Sequence, residues 1–337
     1  MRVRLLALSV LVLGCLVIGL VAGSVALPLS DVWNGLLHGT GSGAAIVRDV
    51  RAPRVVLAFL VGGSLGICGA ALQAMIRNPL AEPYLLGLSS GAGLGAVIAI
   101  ASRAAGPWAV PLAAFLGAVA AVALVYRLSL VSGQRLDPHV LLLSGVVVGA
   151  FAGALMSAIM VLSDAPGVRN AFLWLLGGFG AASWQALAVF TVYAAIPVAI
   201  LFYHARSLDL IALGDETAHH LGAEVHRVRR VVYLSTALLT AASVATCGIV
   251  GFVGLVVPHA VRTTFRPLHR SLLPLVFVAG GCFLVNSTEN SPTMLTSQQN
   301  FLNRQPYAAR PPTSVFQSST VPRPIQAFCT NSSVVSA

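Results

Sequence analysis

The chain has 337 residues, of which 57% are hydrophobic and only 9% are charged, and its formal net charge is +10. So few charged residues cannot cover the exterior of a water-soluble protein of this length, and this excludes that class. The basic residues are all arginine, and the lack of lysine excludes a P-loop ATPase or Schiff-base chemistry carried by this sequence.

Long windows without Asp, Glu, Lys or Arg recur along the chain. They cover residues 5–30, 55–76, 83–102, 104–126, 138–163, 170–205, 231–261 and 271–285. A helix needs about 20 apolar residues to cross a bilayer, and most of these windows have that length. Inside hydrocarbon each backbone N–H and C=O must be paired, and helices pair them within one segment. The windows therefore predict an all-α, polytopic membrane protein.

The first window follows Arg2 and Arg4 and has features of a signal peptide. Its apolar run continues past Cys15 to Leu27, which is too long for the apolar region of a signal peptide. We therefore interpret it as the first span, and not as a signal peptide or a lipid-attachment site at Cys15.

A short polar stretch, RNPLAEP at residues 77–83, separates the second and third windows. Pro79 and Pro83 prevent one helix from running through both windows. The stretch is therefore predicted to be a turn between two spans, with Arg77 and Glu82 in water or among lipid headgroups.

The window 231–261 is too long for a single span, because a straight helix of this length would measure about 46 Å against a core of about 30 Å. It contains Gly248, Gly251, Gly254 and Pro258, which predict a break into a full-length helix and a shorter returning one. With that break the chain crosses nine times, and most arginines fall on the cytoplasmic side, as is typical of membrane proteins.

The longest cytoplasmic segment, residues 206–230, is also the most charged. Asp215 and Glu216 favour the start of a short helix, and Gly222 favours its end. We expect this segment to expose Leu213, Ala218 and Leu221, which would suit a groove on another protein. An amphipathic loop lying on the headgroups is the alternative. His220 and Glu224 lie close in sequence, but no further ligand completes a metal site.

Three arginines run against the charge bias. Arg48, Arg51 and Arg54 precede the second span on the outer side, where arginine is disfavoured. The residues alone leave two interpretations open: side chains that reach the interface from the span, or a docking surface for an acidic partner.

Five stretches resemble the FecCD-type permeases, the membrane subunits of ABC importers for iron–siderophores, haem and cobalamin. They are RAPRVVLAFLVGGSLGICGAALQAMIRNPLAEPYLLGLSSGAGLGA (51–96), LLLSGVVVGAFAGALM (141–156), WLLGGFGAASW (174–184), LIALGDETAHHLG (210–222) and GIVGFVGLVVPHAVR (248–262). The resemblance implies the type II ABC importer permease fold of ten spans in a bacterial inner membrane.

The resemblance also implies partners. The permease would pair as a homodimer or with a second permease, and two cytoplasmic ATPase subunits would bind ATP and Mg. A periplasmic or lipid-anchored substrate-binding protein would deliver the cargo. The chain itself would bind no cofactor, metal or nucleic acid and would hold no catalytic residue.

The resemblance assigns roles to individual residues. The ATPase-coupling residues would be Leu213, Gly214, Asp215, Glu216, Ala218, Leu221 and Gly222. Binding-protein docking would involve Arg51 and Arg54. Structural motif positions would be Gln73, Arg77, Asn78, Pro79, Leu80, Pro83, Gly87, Gly91, Gly251, Gly254, Pro258 and His259.

The expected function is the import of ferric siderophores, with cobalamin or haem as the alternative cargo. An ion-coupled secondary transporter or a channel is the alternative from another class. The windows before residue 286 hold no Asp or Glu pair for a proton relay, and this argues against that alternative.

The composition changes after Val285. The last 52 residues contain no glycine and are rich in Ser, Thr, Asn, Gln and Pro, which is typical of a segment that cannot order itself. We therefore divide the chain into a permease domain, residues 1–285, and a disordered tail, residues 286–337. A tenth span is expected here and is missing, so we interpret the tail as out-of-frame or foreign sequence on a truncated permease of about nine spans.

Overall fold

The computed structural model of the chain describes residues 2–21, 32–35, 44–131, 137–265 and 268–289. None of these residues lies in a β-strand. The expectation of an all-α protein is therefore confirmed for this part of the chain.

The described α-helices of six residues or more are numbered here in chain order. They are α1 (Arg2–Val21), α2 (Ala52–Ile76), α3 (Leu88–Ala101), α4 (Ala109–Val131), α5 (Pro138–Leu162), α6 (Ala165–Leu175), α7 (Trp184–Tyr203), α8 (Ala205–Ala212), α9 (Asp215–His220), α10 (Val225–Cys247), α11 (Val253–Phe265) and α12 (His269–Glu289). A π-helical turn, Ile46–Arg51, leads into α2, and a 3₁₀ turn, Pro83–Leu86, precedes α3.

Six segments of the described part are long and apolar enough to cross a membrane. They are Ile46–Ile76, Ala109–Leu130, Pro138–Leu162, Trp184–Tyr203, Val225–Cys247 and His269–Thr288. Three other helices, α1, α3 and α11, lie in the remaining predicted windows, so each expected crossing corresponds to a helix.

The charge-free window 170–205 covers parts of two helices. Helix α6 ends at Leu175, and α7 begins at Trp184. Gly177 lies between them with φ of +68°, a backbone conformation that glycine adopts without steric cost. The N–H of Gly178 then donates to the carbonyl of Cys247 at 2.7 Å. Only the second part of the window, α7, has the length of a span.

The predicted break in the window 231–261 is confirmed. Helix α10 ends at Cys247, Gly248 has φ of +73°, and α11 begins at Val253. The two helices replace the single helix that would be too long for the bilayer.

Helix α2 is the centre of the described fold. It is buried along nearly its whole length and packs against α7, α10, α11 and α12. A Cβ atom on Gly62 would overlap the carbonyl of Gly280 in α12, and one on Gly69 would overlap the carbonyl of Gly254 in α11. Small residues therefore let the backbones touch at both crossings, as at many membrane helix interfaces. Helices α5 and α7 are largely exposed, as expected for lipid contact.

The predicted boundary at Val285 falls inside α12, which continues to Glu289. Residues 290–337 lie outside the described residues, so disorder of the tail stays a prediction.

Candidate functional site

The predicted cytoplasmic segment, residues 206–230, forms two short helices and the start of α10. We call residues 206–230 the coupling segment. In its first helix, α8, Leu208 and Ile211 are completely buried where α8 packs against α2 and α12. The coupling segment is therefore fixed to the transmembrane helices by an apolar face.

The second helix of the coupling segment follows the sequence signals closely. Gly214 has φ of +116° before α9, Asp215 and Glu216 occupy its first turn, and Gly222 has φ of +84° after it. Such left-handed positions are accessible to glycine at low cost.

The exposure of the three expected contact residues is corrected in one case. Leu213 and Leu221 are 66% and 57% exposed, but Ala218 is completely buried. Ala218 lies on the inner face of α9, so its side chain is unavailable to a partner. The outward apolar surface of this segment consists of the two leucines.

An ion pair fixes α9 to the transmembrane helices. The Asp215 carboxylate accepts two hydrogen bonds from the Arg229 guanidinium, both at 2.8 Å, and the Arg229 side chain is 5% exposed. Arg77, at the end of α2, places Nη2 3.7 Å from Asp215 Oδ1. A bidentate pair of this kind fixes the relative orientation of the two side chains and adds electrostatic attraction. Asp215 thus joins α9 to α10 and to α2.

A polar cleft of about 900 Å³ opens beside α9. Its walls include Arg77, Asp137, His139, Glu216, His219 and Arg227. The nearby His204 imidazole has a lowered pKa, because partial burial and then the Arg227 charge disfavour its protonated form. Among the described residues no group of three His, Cys, Asp or Glu side chains could hold a metal ion. The walls of the cleft therefore carry both positive and negative side chains.

The RNPLAEP turn does more than face water. Arg77 is exposed, as expected, but Glu82 is half-buried and accepts a hydrogen bond from the N–H of Phe252 at 2.8 Å. The Tyr84 hydroxyl donates to the carbonyl of Val250 at 2.9 Å. The position of Glu82 in water or among headgroups stays a prediction, and its hydrogen bond shows that the turn also holds the break between α10 and α11.

Within this turn, the Asn78 side-chain oxygen accepts a hydrogen bond from the N–H of Leu80 at 2.9 Å and so stabilises the turn. Pro79 and Leu80 are exposed, whereas Pro83 is buried and begins the 3₁₀ turn. This local geometry follows from the turn-forming preferences of Asn and Pro.

Gln73 of α2 has a role that sequence reasoning missed. Its Nε2 donates to the carbonyls of Gly254 and Leu255, both at 3.4 Å. In a regular helix the Gly254 carbonyl would accept from the N–H four residues later, but that residue is Pro258, which has none. The Gly254–Pro258 spacing is the sequence signal for a carbonyl that needs an outside donor, and Gln73 supplies it.

The other motif positions are distributed over the fold. Gly87 has φ of +74° at the start of α3, and a Cβ on Gly91 would lie 2.6 Å from the Gly117 carbonyl of α4. Gly251 and His259 are exposed. These positions serve close packing and chain direction, and the structure does not gather them into one site.

The structure buries the two arginines expected to dock a partner. Arg51 is 0% exposed and Arg54 is 2% exposed. Arg51 Nη1 donates to the carbonyls of Leu20 and Val21 at 2.9 and 3.2 Å, and Arg54 Nε donates to the carbonyl of Phe179 at 3.1 Å. Their expected exposure is therefore wrong in this conformation, and docking through them stays a prediction. Arg48 is exposed.

Comparison with known proteins identifies the family of this chain. The model of the FecCD transport family matches residues 10–300. The chain belongs to the FecCD transport family. The match continues past Val285, so the end of the permease domain stays a prediction. The family and the helices described above make this a multi-pass membrane permease.

Individual relatives agree with the family. The chain is 42% identical to the cobalamin import system permease protein BtuC of Halobacterium salinarum over 71% of this chain and 64% of that protein. It is 36% identical to the hemin transport system permease protein HmuU of Yersinia pestis over 81% of this chain and 82% of that protein. The first match thus spans less than two thirds of the archaeal relative.

A solved structure shows the same fold. It is described as an inward-facing conformation of a metal-chelate type ABC transporter. The two chains superpose with a TM-score of 0.77 and 27% identity, over 89% of this chain and 96% of the other.

We expect Asp215→Ala to loosen α9. The change leaves the largely buried Arg229 guanidinium without its bidentate partner, and losing a charged hydrogen-bond partner costs about 1.5–3 kcal/mol. The measurement is the thermal unfolding temperature of the purified permease in detergent, which should fall. Glu216→Ala is the matched control, because this neighbouring carboxylate is exposed and should leave the unfolding temperature unchanged. Equal effects of the two changes would contradict the anchoring role.

Proposed function

We propose that the chain is the membrane-spanning permease subunit of an ABC importer that carries ferric–siderophore complexes, driven by ATP that a partner subunit hydrolyses. The observation that carries this proposal is the coupling segment. Two short helices, attached to the bundle by ion pairs, expose Leu213 and Leu221 on the arginine-rich side of the molecule that is predicted to be cytoplasmic. Apolar side chains on such helices suit a groove on another protein.

The composition indicates which subunit of the importer would bind ATP. Without lysine the chain cannot build a P-loop, so ATP and Mg would be bound by the ATPase subunit. The permease would contribute no catalytic residue and would convert the movement of the ATPase into movement of its own helices. A homodimer or a pair of related permeases would enclose the pathway.

The cargo is inferred from chemistry that several relatives share. Two relatives are named for cobalamin and hemin, and the solved structure is described as a metal-chelate type transporter. All of these cargoes are bulky metal chelates, as ferric siderophores are. The relatives support cobalamin or haem, the alternative cargo, equally well.

The alternative of an ion-coupled transporter or a channel has less support. No Asp or Glu belongs to the buried side chains of the described residues, whereas Arg51, Arg54 and Arg229 do. Proton and cation pathways in membranes typically use buried carboxylates.

The opposite end of the molecule would receive the substrate-binding protein. Arg48 is exposed there, and its carbonyl accepts a hydrogen bond from Trp184 Nε1 at 3.0 Å. Exposed ion pairs contribute only about 0–1 kcal/mol each. Arg51 and Arg54 are buried and bind backbone carbonyls. Docking through them would therefore require a conformation that releases both side chains.

Crosslinking tests the contact with an ATPase. Cysteines introduced as Leu213→Cys and Leu221→Cys should each crosslink to the co-expressed ATPase subunit, because both side chains are exposed. Ala218→Cys is the matched control on the same helix and should not react, since this position is buried. If the two exposed cysteines react only with lipid-facing probes, the segment is a headgroup helix and the contact is wrong.

Uptake into proteoliposomes tests the transport function. The full chain is reconstituted with a co-expressed ATPase subunit and a substrate-binding protein, and uptake of a radiolabelled ferric siderophore, cobalamin and haem is compared. We expect ATP-dependent uptake of the ferric siderophore alone. Uptake of cobalamin or haem instead would replace the cargo, and uptake without the ATPase would overturn the importer assignment.

A further inference from the structure

A continuous chain of four polar side chains connects the first coupling helix to the core. Asp209 of α8 accepts hydrogen bonds on Oδ1 from the backbone N–H of His269 at 2.8 Å and from its Nδ1 at 2.6 Å. His269 Nε2 lies 3.2 Å from Arg262 Nη2, and Arg262 Nη1 donates to Gln73 Oε1 at 2.9 Å. The chain joins α8, α12, α11 and α2.

The partners fix the direction of each hydrogen bond. Arg262 can only donate, and the Asp209 carboxylate can only accept. A neutral imidazole with its proton on Nδ1 satisfies both, because it donates to Asp209 and accepts from Arg262 on Nε2. Gln73 must then turn its oxygen towards Arg262 and its amide nitrogen towards Gly254 and Leu255. Each side chain in the series therefore has one orientation that satisfies its neighbours.

The series ends where α11 begins. Gln73 holds the Gly254 carbonyl, and Arg262 Nη2 also donates to the carbonyl of Ala70 in α2 at 3.0 Å. His269 and Asp209 are only 9% and 20% exposed at their side chains. Because low surrounding polarity strengthens hydrogen bonds, a largely shielded series of this kind resists separation of its members.

The two coupling helices contact each other and both contact α2, but their polar side chains also bind different helices. Helix α9 is tied to α10 through Asp215 and Arg229, whereas α8 is tied to α11 and α12 through Asp209. The break between α10 and α11 follows Gly248 and is held by Glu82 and Tyr84.

We propose that the Asp209–His269–Arg262–Gln73 series transmits the displacement of α8 to α11, so that His269 is a positioning residue for the transport cycle. This inference rests on the proposed function, since the displacement comes from the ATPase subunit. The movement expected of this series is a change in the angle between α10 and α11. Apolar packing holds α8 on the core, and the hydrogen-bonded series adds a directional link from α8 to α11.

The test measures movement and does not require the cargo. Spin labels are placed on exposed cysteines, Arg230→Cys in α10 and Thr264→Cys in α11, in a background without the native cysteines. The full permease is assembled with its ATPase in nanodiscs, and the distance between labels is measured with and without ATP and vanadate. The parent complex should show an ATP-dependent change of this distance.

The decisive variant is His269→Leu, which removes both ring hydrogen bonds and retains the backbone N–H that Asp209 accepts. We expect this variant to bind the ATPase and hydrolyse ATP while losing the change of distance. His269→Gln, which can still donate and accept, should restore part of the change. Ser271→Ala, an exposed change on the same helix, should respond as the parent does.

Each other outcome has a defined meaning. An unchanged ATP response in His269→Leu overturns the inference and leaves the proposed function standing. Failure of both His269 variants to assemble with the ATPase shows that the series only supports the fold, and this also overturns the inference. If the parent complex forms no ATPase contact and shows no ATP response, the proposed function fails together with the inference.

Discussion

The backbones of α2 and α11 touch where Gly69 faces Gly254, because a Cβ atom on Gly69 would overlap the Gly254 carbonyl. A Cβ atom on Gly254 would lie 2.8 Å from Pro83 Cδ and 3.1 Å from the Leu65 carbonyl oxygen of α2. This contact brings Gln73 to the carbonyl that Pro258 leaves without a helical donor. The same side chain receives Arg262. Close backbone packing and the hydrogen bonds of Gln73 thus occur at the same helix crossing. The position of α11 depends on that crossing.

The break between α10 and α11 is held in place by hydrogen bonds from neighbouring segments. Glu82 and Tyr84 bind its backbone from one side, and Gly178 binds the carbonyl of Cys247 from the other. Backbone groups that leave helical pairing inside a membrane need such partners. Polar side chains of the coupling helices bind α10 on one side of the break and, through His269, α11 on the other.

Local signals in the sequence predicted much of this arrangement. The length of the window 231–261 required a break, and the glycines around Asp215 defined α9. Long-range contacts could not be predicted in the same way. Charge bias placed Arg51 and Arg54 on the outer side, but it contains no information about the distant carbonyls of Leu20 and Phe179 that bury them. The inward position of Ala218 likewise depends on how α9 packs against its neighbours.

A double-mutant cycle between Gln73 and Pro258 tests the central contact most directly. Gln73→Met removes the donor to Gly254, whereas Pro258→Ala supplies the missing helical N–H. The free energy of unfolding is measured for both single changes and for the pair. Gln73→Met should cost about 1 kcal/mol more in the parent than in the Pro258→Ala background. The lost hydrogen bond to Arg262 is common to both backgrounds and cancels. An equal cost in both backgrounds would contradict the account.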